Sequence, residues 1–159
     1  MTRGALPVMG LALLFATLPA QANDRVGPAR VIDGNTVEVG GTRLKLAQMD
    51  APALGQSCSR FDARYNCGRE AAEELGRIIE GHPLRCTPAG NDTARGPLYR
   101  CWAGDLDVGR ELVRRGWAIV ANGYLYSTDE NRARETRRGL WAGDFQRPAD
   151  WRRERKLTR

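Results

Sequence analysis

Between Val31 and Pro52 the chain reads VIDGNTVEVGGTRLKLAQMDAP. Asp33, Asn35 and Asp50 offer oxygen donors there, and Lys45 offers a fixed cation. Oxygen donors suit a hard divalent cation, and an ammonium group suits an anionic substrate. Other chemistries are poorly supplied. His82 is the only histidine and precedes Pro83, so neither a Ser–His–Asp arrangement nor a pair of catalytic histidines can be built. Cys58, Cys67, Cys86 and Cys101 contain no CxxC pair, so a zinc site has no framework.

Strands must position the Asp33–Asp50 stretch. Val37, Val39, Leu44 and Leu46 alternate with polar residues, and Gly40–Gly41 supplies a hairpin turn. MDAPALGQSCSRFDARYNC shows no period and reads as a loop. GREAAEELGRIIEG predicts a helix with Ala71, Leu75 and Ile78 on one face, ended near Gly81. PLRCTPAG and PLYRCWAG read as strands around the polar loop GNDTARG. VGRELVRRG predicts a second helix, and STDENRARETRRG a third, opened by Ser127 or Thr128. Three strands, a helix, two strands and two helices are best satisfied by a five-stranded barrel with three helices packed on it, an α+β fold that is mainly β.

A basic start, an apolar run and AQA at Ala20–Ala22 predict a secretory signal over residues 1–22. That places the mature protein in the periplasm or outside the cell. An oxidising compartment favours two disulfides from four cysteines. Cys58 and Cys67 flank one short loop, and Cys86 and Cys101 sit on strands that a hairpin would pair, so the expected bridges are Cys58–Cys67 and Cys86–Cys101. The formal net charge of +6 is concentrated from Arg132 onward, where nine arginines and Lys156 face Glu135, Asp144, Asp150 and Glu154. Such a tail meets phosphates or anionic lipid, or is a solvated helix face. Trp141, Phe145 and Trp151 are too apolar for a free arm, so LWAGDF is expected to pack back while WRRERKLTR stays exposed. The domain is placed at residues 23–140 and the aromatic and basic tail at 141–159.

VIDGNT, LAQMDAP, CGREAAEEL, the two cysteine-bearing strands, ELVRRGWA and RRGLWAG together resemble the staphylococcal nuclease (thermonuclease) family, in the family's order and over nearly the whole mature chain. The resemblance implies an OB-type barrel with three helices and calcium-dependent hydrolysis of DNA and RNA. Calcium would take carboxylate oxygens, polarise the phosphate and bind the attacking water. Two arginines would clamp the phosphate through their planar forks, and a glutamate would act on the water.

Carried over residue by residue, the family's pattern is incomplete. Its D-G-D-T motif appears with Asn35 in place of the second, metal-binding Asp; Asp33 is kept as the first. The other metal Asp is Asp50. The first clamping arginine is replaced by Lys45, which keeps charge and loses the fork. The glutamate of D-x-P-E is Ala53. The second clamping arginine, from Y-G-R-x-L, falls on Gly96, with Arg95 one residue early. A base-stacking tyrosine falls on Asn122, with Tyr124 two positions on. Asp62 and Glu70 are nearby carboxylates without the spacing of the family's base.

Loss of a general base costs about 10²–10⁴ in rate, and loss of a preorganised charge-stabilising donor about 10²–10³. The reading is therefore a thermonuclease-like protein with a degenerate site and a binding or interaction role. One alternative is a weak calcium-dependent nuclease using Asp33, Asn35, Asp50, Lys45 and Arg95. Another is an envelope-binding protein that docks through its basic tail. Nucleic acid, an envelope protein or an anionic polymer are the expected partners, and the chain is expected to be a monomer.

Overall fold

A computed structural model describes residues 24–92 and 96–157. The signal expected over residues 1–22 and the position of Arg95 lie outside them. The strands are β1 (Arg25–Gly27), β2 (Ala29–Asp33), β3 (Thr36–Val39), β4 (Thr42–Leu46), β5 (Met49–Asp50), β6 (Cys58–Arg60), β7 (Ala63–Tyr65), β8 (Leu84–Asp92), β9 (Gly96–Ala103), β10 (Leu106–Asp107) and β11 (Ile119–Val120). The helices are α1 (Cys67–Ile79), α2 (Val108–Arg114), α3 (Ser127–Glu135) and α4 (Pro148–Leu157), with a 3-10 turn over Gly139–Ala142.

The main sheet runs β1-β8-β9-β4-β3-β2, with β10 added to β9; β5–β11 and β6–β7 form two small sheets. The α+β class read from the sequence holds. The details differ in three places. The aperiodic segment after Pro52 contains the β6–β7 hairpin, whose turn residues Phe61 and Asp62 both have positive φ. The polar loop after Gly90 continues β8 as far as Asp92. The tail forms a fourth helix, α4.

Alternation in β3 and β4 does what its period predicts. Val37, Val39, Leu44 and Leu46 are all buried, and Val39 pairs with Thr42 across a two-glycine turn in which Gly40 and Gly41 both have positive φ. Ala71, Leu75 and Ile78 of α1 join them in one core. Each large aliphatic side chain withdrawn from water there contributes about 1.5–3 kcal/mol. The Asn66 side chain caps α1 by accepting from the Arg69 N–H at 2.9 Å. Helix α3 has no side-chain cap at all; its N-cap residue is the buried Tyr126, so the expected Ser127 or Thr128 cap is not used.

Both expected disulfides are present. Cys86 and Cys101 are directly paired across β8 and β9, and Cys58–Cys67 joins β6 to the start of α1. The second bridge seeds a smaller cluster with Leu140, against which Tyr65, Trp117 and Phe145 pack. The LWAGDF segment docks there as expected. Ser59 and Asp144 exchange two backbone hydrogen bonds at 3.0 and 2.9 Å, and Trp141 and Phe145 meet edge to face.

Ion pairs tie the helices together. Glu111 of α2 is 4% exposed and accepts from Arg114 and from Arg115, whose guanidinium also reaches Glu74 of α1. Asp107 caps α2 by accepting from the Arg110 N–H, and also receives Arg100 and the Tyr126 hydroxyl.

A candidate anion cleft with the tail across it

Strand register assembles the cleft. Thr36 stands opposite Lys45 in the β3–β4 pair, Lys45 lies beside Leu98 in the parallel β4–β9 pair, and Asp50 faces Ile119 in the β5–β11 pair. These pairings bring Asp33, Asn35, Lys45, Asp50 and Ala53 to one cleft of about 540 Å³. Asp92, Ala121 and Asn122 close one part of the rim. The other part is Ala149, Arg152, Arg153 and Lys156 of α4.

Asp33 turns the chain. Its Oδ1 accepts from the Asn35 N–H at 2.7 Å, holding the residue after Gly34 in place. Gly34 is needed because a Cβ there would lie 2.8 Å from the Ala51 Cβ. Asn35 then binds Ala51 with both ends of its carboxamide: Nδ2 donates to the Ala51 carbonyl at 2.7 Å and Oδ1 accepts from the Ala51 N–H at 2.8 Å. The amide therefore acts as a backbone partner, stitching the β2–β3 turn to the segment after β5. A carboxylate could not make the first of these bonds, because it has no N–H to donate.

Asp50, 3% exposed, receives a bidentate guanidinium. Arg152 Nη1 donates to Oδ1 at 3.0 Å and Nη2 to Oδ2 at 2.7 Å. Two parallel charge-assisted bonds make this a directional pair, across 102 residues of sequence. The tail is thus not a wholly exposed arm. Trp151 and Arg152 are half-buried, whereas Arg153 through Leu157 are exposed. Helix α4 is anchored before it begins, since Gln56 Nε2 donates to the Gln146 carbonyl at 2.7 Å.

Ala53 lines the cleft but brings no proton chemistry. Its backbone is clamped by α1: a Cβ on Gly68 would fall 1.7 Å from the Ala53 carbonyl oxygen. Gly96 has φ +80° and pairs with Asp92 at the end of the β8–β9 hairpin, a backbone that glycine takes without strain. It does not line the cleft. Tyr124, expected as a stacking residue, is 90% exposed and lies outside the lining, while Asn122 reaches Asp92 at 3.0 Å. Glu70 is in the first turn of α1 with Arg60 3.6 Å away, and Asp62 sits at the β6–β7 turn; neither lines the cleft.

The metal expected from the resemblance does not fit the residues as they stand. Asn35 is engaged by Ala51 and Asp50 by Arg152. Among the described residues no three His, Cys, Asp or Glu side chains converge as a metal site. Shifted protonation equilibria occur at the buried pairs around α2. Burial pushes the Tyr126 hydroxyl up, with the Asp107 carboxylate adding to it. For Glu111 burial pulls upward, but the Arg114 and Arg115 hydrogen bonds outweigh it and hold the carboxyl below its ordinary range. These are structural pairs that tie the helices to one another and to the sheet.

Sequence reasoning missed Arg152, Arg153 and Lys156 as cleft residues. The spacing carries only part of the signal: Ala149, Arg152, Arg153 and Lys156 follow i, i+3, i+4, i+7, so they share one helix face, but the spacing does not say what that face meets.

Residues 43–143 match the family described as staphylococcal nuclease homologue. The chain belongs to that family, and its strand-rich α+β architecture is accordingly of the OB type. It is 35% identical over 136 residues to the succinoglycan biosynthesis protein ExoI of Rhizobium meliloti (strain 1021), covering 82% of this chain and 71% of the relative. It is 28% identical over 151 residues to an uncharacterized endonuclease of Escherichia coli O157:H7, covering 88% and 90%. It is 27% identical over 169 residues to a micrococcal nuclease of Shigella flexneri, covering 94% and 92%. The protein is thermonuclease-like.

Proposed function

We propose that this thermonuclease-like chain is an exported protein that binds phosphodiester or a similar anionic polymer and does not hydrolyse it. One observation carries the reading: the cleft lacks the family's water-activating glutamate, and the metal-binding position is an amide engaged by the backbone. Ala53 stands where the resemblance calls for a glutamate, and Asn35 is closed on Ala51 by two hydrogen bonds. The two disulfides support an oxidising compartment. The basic cleft rim supports an anionic ligand. The family and the nuclease names among the relatives support phosphodiester as the chemical class.

The test is cleavage of single-stranded DNA and RNA by purified protein, with calcium and with chelator. The expected result is equal background in both. Robust calcium-dependent cleavage by the unmodified protein would refute the reading and would point to another group activating the water. Asn35→Asp with Ala53→Glu supplies a metal carboxylate and a base. That pair, with Arg152→Gln to remove the guanidinium fork from Asp50, is expected to gain measurable calcium-dependent cleavage, whereas no single substitution does.

A further inference from the structure

We propose that Arg152 takes the electrostatic place of a metal ion, making the cleft a metal-independent receptor for the phosphates of a single nucleic-acid strand. The inference deepens the proposed function and rests on its reading of the cleft as an anion-binding site. Helix α4 supplies the evidence. It starts at the buried Pro148, and Trp151 lies against Gly55, with the Arg155 guanidinium 4.7 Å above the Trp151 ring. That seating turns Ala149, Arg152, Arg153 and Lys156 toward the cleft. The small Ala149 leaves room where its cationic neighbours point.

A guanidinium has five N–H donors. Arg152 spends two of them on Asp50, so three are not committed to that carboxylate. With Asp50 neutralised, the pair offers donors on its open side, much as a carboxylate-bound cation offers its open face. Lys45 and Lys156 line the same cleft and form no salt bridge among the described residues. The other lining carboxylates are occupied: Asp33 accepts from the Asn35 N–H and Asp92 from Asn122. The donors arrive from β4 on one side and from two successive turns of α4 on the other. Donors converging from separate elements suit a tetrahedral phosphate better than a planar carboxylate. Asn35 fits the same logic, because a second carboxylate there would add negative charge that one arginine could not offset.

Fluorescence anisotropy with a labelled deoxythymidine octamer, on the full mature chain, tests this. Binding is expected in chelator and to be no tighter in millimolar calcium. The salt dependence should have a slope near about −1.5 to −2 in log K against log salt, for two or three phosphates at about −0.7 each. Arg152→Gln is expected to weaken binding about ten-fold in chelator and to flatten the slope by about 0.7. Arg152→Lys should recover the slope and only part of the affinity, because charge returns without the fork. Circular dichroism checks that both variants fold. Calcium-dependent binding by the native protein would overturn the proposal, as would an Arg152→Gln variant that binds like native. Equal competition by a polycarboxylate such as polyglucuronate would also overturn it. All of these readouts are binding measurements, so they stand or fall separately from the cleavage assay above.

Discussion

Asn35→Asp exchanges an amide for a carboxylate of nearly the same shape, so its cost isolates one hydrogen bond. In the native chain Nδ2 donates to the Ala51 carbonyl at 2.7 Å. The introduced carboxylate keeps the bond from the Ala51 N–H but places an oxygen against that carbonyl. The lost bond is worth about 0.5–1.5 kcal/mol, and a part-buried carbonyl left unpaired costs about 1–3 kcal/mol. These overlap, and together they predict destabilisation by about 2–3 kcal/mol at neutral pH in chelator. For a chain of this size that lowers Tm by roughly 5–10 °C. The sign of the pH dependence follows from the proton. A protonated carboxyl can donate to the Ala51 carbonyl and restore the bond, so folding raises the pKa of the introduced group. The penalty is full above that raised value and shrinks as pH falls through it. Thermal unfolding of native and variant protein at several pH values, in chelator, measures this. A variant as stable as native at pH 7 would show that the Asn35–Ala51 bonds do not hold the turn. A penalty that grows toward acid would refute the proton argument.

Further outcomes are expected. The Glu74 and Glu111 carboxyls are pushed upward by burial, yet Arg115 with Arg77, and Arg114 with Arg115, hold them below the ordinary value of 4.5. Their stabilisation is complete above that value and lost as pH falls through the depressed folded values. Urea midpoints should therefore drop below about pH 4.5, and Glu111→Gln should flatten that drop. Replacing Cys86 and Cys101 together by alanine should cost about 3 kcal/mol in the chain-entropy account of a loop of 15 residues, read from urea unfolding. Gly68→Ala should destabilise by about 3 kcal/mol or more, because its Cβ meets the Ala53 carbonyl and the backbone must move; a soluble variant with native Tm would refute the tight approach. Gly96→Arg should cost about 1–2 kcal/mol in stability, since a side chain is strained at φ +80°, and should leave octamer binding within two-fold, because Gly96 does not line the cleft.

The sequence was legible where one local period or one pairing decides the structure. The alternation over Val37–Leu46, the α1 face at Ala71, Leu75 and Ile78, and the two cysteine pairs all follow from such rules. The β6–β7 hairpin was not legible. Its turn uses Phe61 and Asp62 with φ of 50° and 61°, and no glycine marks that turn. The α3 cap departs from its sequence signal, because Ser127 and Thr128 carry capping chemistry that the helix leaves unused. Cleft residues carried by β-strand register were found because a family motif fixes their spacing. The α4 residues escaped because their place depends on a fold that brings position 152 to position 50, and no local pattern encodes that separation.

The substitutions within the cleft are coupled through charge. A cluster of Asp33, an aspartate in place of Asn35, and Asp50 would need a divalent cation to offset its repulsion. One arginine fork brings a single positive charge. It can balance Asp50, but it does not balance a second, part-buried carboxylate beside it. Asn35 removes that second charge and uses its amide to close the turn on Ala51. The Arg152–Asp50 pair and Asn35 are thus one solution to one electrostatic problem, and the same argument predicts non-additivity. Arg152→Gln alone leaves Asp50 without this fork, and Asn35→Asp alone adds a charge that the Arg152 fork, already committed to Asp50, does not offset. The double variant creates two carboxylates that calcium can bridge. In millimolar calcium its Tm should rise by several degrees, whereas each single variant gains less, as mass action on a folded-state site requires. A double variant no more calcium-responsive than the singles would show that the two positions do not share one field.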